Sequence, residues 1–561
     1  MAAVLGSLFP KHRIPSDLER VLDLEADDLD GEALADQWTD RLAVTNARLR
    51  PIQAIALEVV SRYKCLFGSI GVGHGKTLIC LLAGAAAGAR RPLLLVPPAL
   101  VQQMKTEAKT WSALFRFVPP RVVSYGILST KKGSTLLEEI KPDLIIADEC
   151  HALRHKTSAR TKRILRYFRE HPTAGFVGVS GTITSKSLLD YAHLLELSLR
   201  DRAPIPLSRF GAGGLESWAG ILDVAGEATK EDFSAFWPLV RWSGGSDYMP
   251  DKPAERKALA RRAFSKRLAS TPGVVCTVVS SCEASLHVVE HYPTPSDAVR
   301  GALKTLSTRW ETPEGEPLAD ASAFARVAKQ LSLGFYYRWQ WQGEPDLVWL
   351  ERRRAWVRSV SRVLRYSARE GLDSPALVDQ WVASGRGNKE TRAAWLAWQE
   401  VKHLPAPETV PVWIDSSIML YAVDWLAELD EPAIIWYRSR AVGEALFDLG
   451  LPVYGSASAC PSTDPRYPHK IGASIAVHGK GRNLQGYHLG LVLEPPGGAS
   501  FEQLIGRYHR QGQQADLVEF HVLQHTEPLK KALTRARADA LYIEQTTNQK
   551  QKLNLARYLR A

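Results

Sequence analysis

The feature that most constrains this chain is the run Gly73-His74-Gly75-Lys76-Thr77, set between the apolar segment Leu66–Ile70 and the helix-like stretch LICLLAGAAAGA at 78–89. Strand, glycine loop and helix, in that order, form a site for anions. Glycines let successive backbone N–H groups curl round phosphate oxygens without a Cβ in the way. The helix that follows turns its positive end toward the same place. In such a loop Lys76 would reach the β- and γ-phosphates of a nucleotide and Thr77 would ligate Mg2+. The strict pattern GxxxxGK[ST] wants glycine at position 70, where this chain has Ile70.

A loop of this kind needs a sheet behind it. The runs PLLLVPP (92–98), DLIIAD (143–148) and GFVGVSG (175–181) read as buried strands, by their length and by the Pro, Gly and Asp that flank them. Helical patterns alternate with them, which predicts an α/β fold with an open parallel sheet. Ligands of such sheets sit at the carboxyl ends of the strands. A second α/β pattern begins near 406, with strands expected at PAIIWYRS (432–439), GASIAVHG (472–479) and YHLGLVLEPP (487–496). The 561 residues therefore divide into five expected regions. These are an acidic helical segment at 1–45, a first α/β unit at 46–205, a mainly helical Trp- and Arg-rich insertion at 206–405, a second α/β unit at 406–528 and a basic helical tail at 529–561.

Two further clusters carry chemistry. Asp148-Glu149-Cys150-His151 follows the apolar run LIIA. An Asp at a strand's carboxyl end suits the water shell of Mg2+, and the adjacent Glu149 suits activation of an attacking water. In FEQLIGRYHRQGQ (501–513), Arg507 and Arg510 are three apart and share a helix face. Rigid guanidinium groups fit the charge that develops on a transferring phosphoryl group.

The charge pattern points the same way. Net charge is +11, yet residues 1–45 carry ten acids against four bases, which leaves +17 on the remainder. A basic body suits a polyanion, usually nucleic acid. In the stretch 349–370, Trp349, Leu350, Trp356, Val357, Val360, Val363 and Leu364 form an approximate helical stripe. Arg352, Arg353, Arg354, Arg358, Arg362 and Arg365 lie mainly between them. Two readings stand: a helical core with a solvated basic face, or a face that follows phosphates. Six cysteines without a CxxC pair read as free thiols of a reducing compartment, hence cytoplasm. No apolar run of about 18 residues predicts a membrane span.

In order along the chain, these motifs resemble those of helicase superfamily two ATPases, and within them the Swi/Snf-like translocases on duplex DNA. Leu49-Arg50-Pro51-Ile52-Gln53 resembles the LRPYQ segment, Gly73 to Thr77 the GxGKT loop, and LLLVPPALVQQMKTEAKTW (93–111) the segment LIVAPxSLLxxWxxEFxKW. Asp148 to His151 resembles the DEAH or DECH box, and LRHKTSARTKRI after it resembles IKNxxSKxxxxL. Ser180-Gly181-Thr182-Ile183-Thr184 with SLLDYAHLLELS resembles TGTPxQNxxxELxxLLxFL. Gly479-Lys480-Gly481-Arg482-Asn483-Leu484 resembles GGxGxNL, and Gln503 through Gln513 closely resembles QxxGRxxRxGQ. The matches span about 49–200 and 430–515. The family commonly lacks glycine at the place of Ile70. Departures are Thr184-Ser185, near where the family has PxQN, and LEPPGGASFEQ (493–503) in place of DxxWNPxxxxQ.

The resemblance implies two RecA-like parallel-sheet lobes with helical insertions, ATP as substrate and Mg2+ as cofactor. It implies that Gln53 reads adenine and that Gly73, His74, Gly75, Lys76 and Thr77 bind ATP, with Thr77 and Asp148 on Mg2+. Lys76, Glu149, Arg507 and Arg510 would be catalytic. His151, Ser180, Gly181, Thr182 and Gln503 would couple the nucleotide to DNA. Pro97, Pro98, Ser124, Tyr125, Gly479, Gly481 and Asn483 would touch DNA phosphates. The implied activity is ATP-driven stepping along duplex DNA, by a monomer with no membrane association. The compact form is similar to bacterial or phage members, which implies the cytoplasm of a bacterial or phage-infected cell. A strand-separating DNA or RNA helicase, and a DNA-binding adaptor with a decayed ATPase, are the alternatives. The intact Lys76, Thr77, Asp148, Glu149, Arg507 and Arg510 argue against decay.

Overall fold

Alternate residues of the apolar runs enter different cores, as a pleated strand requires. Leu93, Leu95, Ile145 and Phe176 pack on one side, while Leu94, Val96, Ile146 and Val177 pack on the other. Strands buried on both faces pair in parallel under helices. The computed structural model describes residues 16–561 except 185, 212, 246–247, 281, 367–371, 373, 457–460, 462–467 and 480–481. Its first sheet has six parallel strands in the order Arg121–Ser124, Pro92–Val96, Leu144–Asp148, Gly175–Ser180, Leu66–Ser69, Val274–Cys276. Asp148 is in register with Val179, and Ser180 with Ser69. The turns after Ser69, Asp148 and Ser180 therefore leave one sheet edge side by side.

The second sheet has seven parallel strands in the order Val453–Tyr454, Lys470–Ser474, Ala433–Tyr437, Leu489–Val492, Leu517–Leu523, Ser285–His291, Arg557–Arg560. The α/β class and its parallel sheets are as expected. The strand expected at 472–479 ends at Ser474, and Ile475–His478 is a short helix.

The expected boundaries change. The interval 206–405 is not an insertion apart from the sheets: Val274–Cys276 is an edge strand of the first sheet, and Ser285–His291 lies inside the second. Within it Phe335–Gln340 is a strand, paired antiparallel with Glu408–Trp413. The segment 529–561 is largely helical, as expected, and packs against both units. Its helix Glu527–Thr547 packs on both Pro253–Ala269 and Gly498–Tyr508, and Arg557–Arg560 closes the second sheet. At the other end, the helices Ser16–Leu22 and Gly31–Leu42 sit on the first unit, with Leu18 and Val21 in one of its cores and Ala35 and Trp38 in the other.

The helix Leu347–Tyr366 buries Trp349, Leu350, Trp356, Val360 and Val363, as the reading of a helical core expects, and its arginines are exposed or half-buried but mostly engaged by acids of neighbouring segments. Arg353 and Arg354 share Glu316, at 3.1 and 2.9 Å. Arg358 meets Glu311, Arg362 meets Glu390 and Arg352 meets Glu400. Arg365 lies 4.3 Å over the Trp310 ring. Four acids brought by neighbouring segments pair with five of the six arginines. Among the described residues no helix is long and apolar enough to cross a membrane. Cys65, Cys80, Cys150, Cys276 and Cys282 are free thiols, and Cys460 lies outside the described residues.

Candidate functional site

The loop after Leu66–Ser69 turns on two glycines that only glycine suits: Gly73 has φ +96° and Gly75 φ +74°. A Cβ on Gly75 would lie 2.3 Å from Gln53 Nε2. Lys76 opens the helix Lys76–Ala87. Its Nζ donates to the carbonyls of Ile70 and Gly71, at 3.0 Å each. Burial lowers the Lys76 pKa, and the nearby Glu149 and Asp148 charges oppose that.

Glu149 takes a left-handed backbone, φ +53°, directly after the strand Leu144–Asp148. Such a conformation in a residue with a side chain costs about 1–3 kcal/mol and is held here by its surroundings. Ser180 Oγ donates to Glu149 Oε2 at 3.0 Å and accepts from the Thr182 N–H at 3.1 Å. With the serine proton so placed, His151 Nδ1 is the donor to Ser180 Oγ, at 3.0 Å. His151 Nδ1 also lies 3.2 Å from Glu149 Oε2. Burial opposes ionisation of Glu149, but the His151 contact, the Lys76 charge and the Ser180 bond outweigh it and hold the carboxyl below its ordinary range. Burial, then the Glu149 charge, hold Asp148 above its ordinary range.

The second unit completes the site. A cleft of about 270 Å³ is lined by Gly73, Gly75, Lys76, Thr77, Asp148 and Glu149 on one side and by Arg482, Asn483, Arg507 and Arg510 on the other. Gln103, Met104 and Glu107 of the helix Val101–Ser112 close it. Gly506 permits the approach, since a Cβ there would lie 2.4 Å from Val72 Cγ1. Arg507 Nη1 donates to the Arg482 carbonyl at 3.4 Å. Burial pushes the Arg507 pKa down to about 10 and lowers that of Arg510. Among the described residues, the buried Nε atoms of both arginines have no hydrogen-bond partner.

Several expected site residues lie elsewhere. Gln53 is buried behind the loop, accepting from Arg50 N at 3.0 Å and donating to the Gly75 carbonyl at 3.3 Å. It braces the loop and does not line the cleft. His74 is also buried off the cleft, its pKa lowered to about 4 by burial and the Lys76 charge. His151, Ser180, Gly181 and Thr182 form the layer behind the lining. A Cβ on Gly181 would meet Lys76 Nζ at 3.2 Å. Gln503 is buried within its helix, and its Oε1 has no partner among the described residues.

The expected nucleic-acid contacts need the most correction. Tyr125 is 1% exposed and donates to the Asp148 carbonyl at 2.8 Å, so it supports the acid turn from inside. Ser124 is buried and accepts from the Ile127 N–H. Gly479 is buried, Gly481 lies outside the described residues, and Asn483 lines the cleft with the glycine loop. Pro97 is half-buried and Pro98 exposed, at the carboxyl end of Pro92–Val96. Sequence reasoning missed Gln103, Glu107 and Arg482 as cleft residues; all three lie inside segments used for the resemblance, Gln103 and Arg482 at variable positions of those motifs and Glu107 at the acid of LIVAPxSLLxxWxxEFxKW. No family model matches the chain, and no curated protein matches it.

Proposed function

We propose that the chain is an ATP hydrolase, with two RecA-like lobes, that steps along duplex DNA. The observation that carries the ATPase reading is the single cleft shared by Lys76, Thr77, Asp148 and Glu149 from one sheet unit and Arg507 and Arg510 from the other. The glycine-only loop offers backbone N–H groups to phosphates. Arg507 and Arg510 line this cleft with guanidinium groups, donors suited to phosphate oxygens. Thr77 and Asp148 suit Mg2+, which brings its own waters and substrate phosphates and needs few protein ligands. Among the described residues there is no group of three His, Cys, Asp or Glu able to cage a metal. Bound there, Mg2+ would neutralise charge on the phosphates.

In this reading Lys76 leaves the loop carbonyls for the phosphates. Glu149, kept ionised by His151 and Ser180, takes the proton of the attacking water. Arg507 and Arg510 stabilise the charge that develops as the terminal phosphoryl group departs. Binding favours approach of the two units and release favours their separation. A difference in DNA affinity between those states is what stepping requires.

Duplex DNA as the track is supported by the +17 body and by the motif resemblance. The engaged arginines of Leu347–Tyr366 are not part of that support. The test is ATP hydrolysis measured with duplex DNA, single-stranded DNA and RNA, at several salt concentrations. Duplex is expected to stimulate best, with affinity falling linearly in log salt, a triplex third strand displaced, and a fork left paired. Best stimulation by RNA, or efficient fork unwinding without triplex displacement, would favour a helicase. No hydrolysis with any of them would leave an adaptor.

A further inference from the structure

After the helix Glu527–Thr547 the chain turns at Asn548, φ +56°, and runs between the two sheet units. Gln549 is fully buried there. Its Nε2 donates to the Gly181 carbonyl at 2.6 Å, and its Oε1 accepts from the Ser69 hydroxyl at 2.8 Å. Ser69 leads into the loop that carries Lys76. Gly181 follows the serine that bonds Glu149. One amide thus ties together the two turns that frame the acid side of the cleft. It does so with one donor and one acceptor, a pair that among side chains of this length only glutamine offers.

The next residue holds the same loop, and those after it hold the other side. Lys550 N donates to the Thr277 carbonyl, and Thr277 Oγ1 accepts from the Gly71 N–H at 2.8 Å. The N–H groups of Lys552 and Leu553 donate to the two carboxylate oxygens of Glu502, at 2.7 and 3.1 Å. Lys552 Nζ donates to His509 Nδ1 at 3.1 Å, while His509 Nε2 donates to the Ala284 carbonyl at 2.7 Å. Glu502 and His509 flank Arg507 on and just after the helix Gly498–Tyr508. Five residues, Gln549 to Leu553, therefore connect the turns beside Lys76 and Glu149 to the segment that carries Arg507 and Arg510.

We propose that Gln549 is a positioning residue for ATP hydrolysis, a role that rests on the ATPase reading above. It fixes the Ser69 and Gly181 turns relative to the arginine-bearing helix, so that water activation and charge stabilisation act on the same phosphoryl group. Movement of that helix away from the loop must move this connection or break it.

The test uses the full chain. Gln549→Met keeps volume and removes both hydrogen bonds; Gln549→Glu keeps the acceptor for Ser69 and removes the donor to Gly181. For each, kcat, KM for ATP and melting temperature are measured with duplex DNA, and Gln549→Met is combined with Glu502→Gln. The expected result is a kcat loss of about 10- to 100-fold in both single variants, the scale of a slight misplacement of reacting groups. KM stays within about threefold, and the double variant is no worse than its worse single, because both act through one connection. A kcat within about threefold of wild type in both variants, losses that only follow the folded fraction, or fully additive losses overturn the proposal. Should the Gln549 variants not fold, Ser69→Ala removes one bond alone, and its kcat falls or the proposal does. Lys76→Ala in the same assay separates the two claims. Hydrolysis that survives it removes the ATPase reading itself, whereas its loss beside unaffected Gln549 variants removes only the role of Gln549.

Discussion

Arg353 and Arg354 close on Glu316, and Arg352, Arg358 and Arg362 each meet an acid of their own. Arg507 and Arg510, by contrast, enter a cleft walled by Lys76 and Thr77, and among the described residues each keeps a buried Nε without a partner. Read along the chain, both groups are arginines at helical spacing. What separates them is which acids the fold brings near. A row matched by carboxylates contributes to packing of its own subdomain. Guanidinium groups that line a cleft shared by both units are the ones the proposed ATP site uses.

The largest effect expected from this contrast is on chemistry. Glu149→Gln should bind ATP and lose hydrolysis by about 10²–10⁴, the range for a displaced general base. Turnover within about threefold of wild type would detach the acid turn from the reaction.

Next comes Glu316→Gln. Two arginines share this half-buried carboxylate, so its loss should lower unfolding free energy by about 2 kcal/mol, the scale of hydrogen bonds to charged groups. ATP turnover and the salt slope of DNA binding should not change. A steeper salt slope, with arginines released to bind phosphates, would show that the contrast between the two groups is one of masking.

Acid should act on a third set of groups. Burial holds His478, His509 and His521 down at about 4, below the free value of about 6.5. Between these values the unfolded chain binds protons that the native state resists. Stability is therefore full above about pH 6.5 and falls as pH drops toward about 4, by up to about 1.4 kcal/mol per unit for each imidazole. Melting temperature followed against pH checks the sign, and a rise on acidification would contradict it. The smallest effect belongs to Arg362→Ala. Its pair with Glu390 is largely exposed, so stability should change by about 1 kcal/mol or less.

The same contrast marks what the sequence made legible. Strands such as Leu144–Asp148 were readable because burial on both faces makes them wholly apolar. Ser285–His291 was not, because His287 and Glu290 interrupt its run, and Arg557–Arg560 reads as a charged tail until it is seen on a sheet edge. Gly73, Gly75, Lys76, Thr77, Asp148, Glu149, Arg507 and Arg510, which local motifs single out, line one cleft, whereas His74 of the same run does not. Tyr125 and Asn483 were not, because a motif fixes position along the chain and not the direction in which a side chain points. Gln549 carries no local signal, since its partners lie 480 and 368 residues away.

The most direct test of the central claim is to measure ATP binding and ATP hydrolysis side by side in Arg507→Ala, with duplex DNA present. Completion of the site by an arginine from the second unit predicts nearly unchanged ATP affinity and hydrolysis reduced by about 10³ or more, with poor recovery in Arg507→Lys because an ammonium lacks the planar fork. Hydrolysis within about threefold of wild type would contradict the claim and confine the chemistry to the first unit.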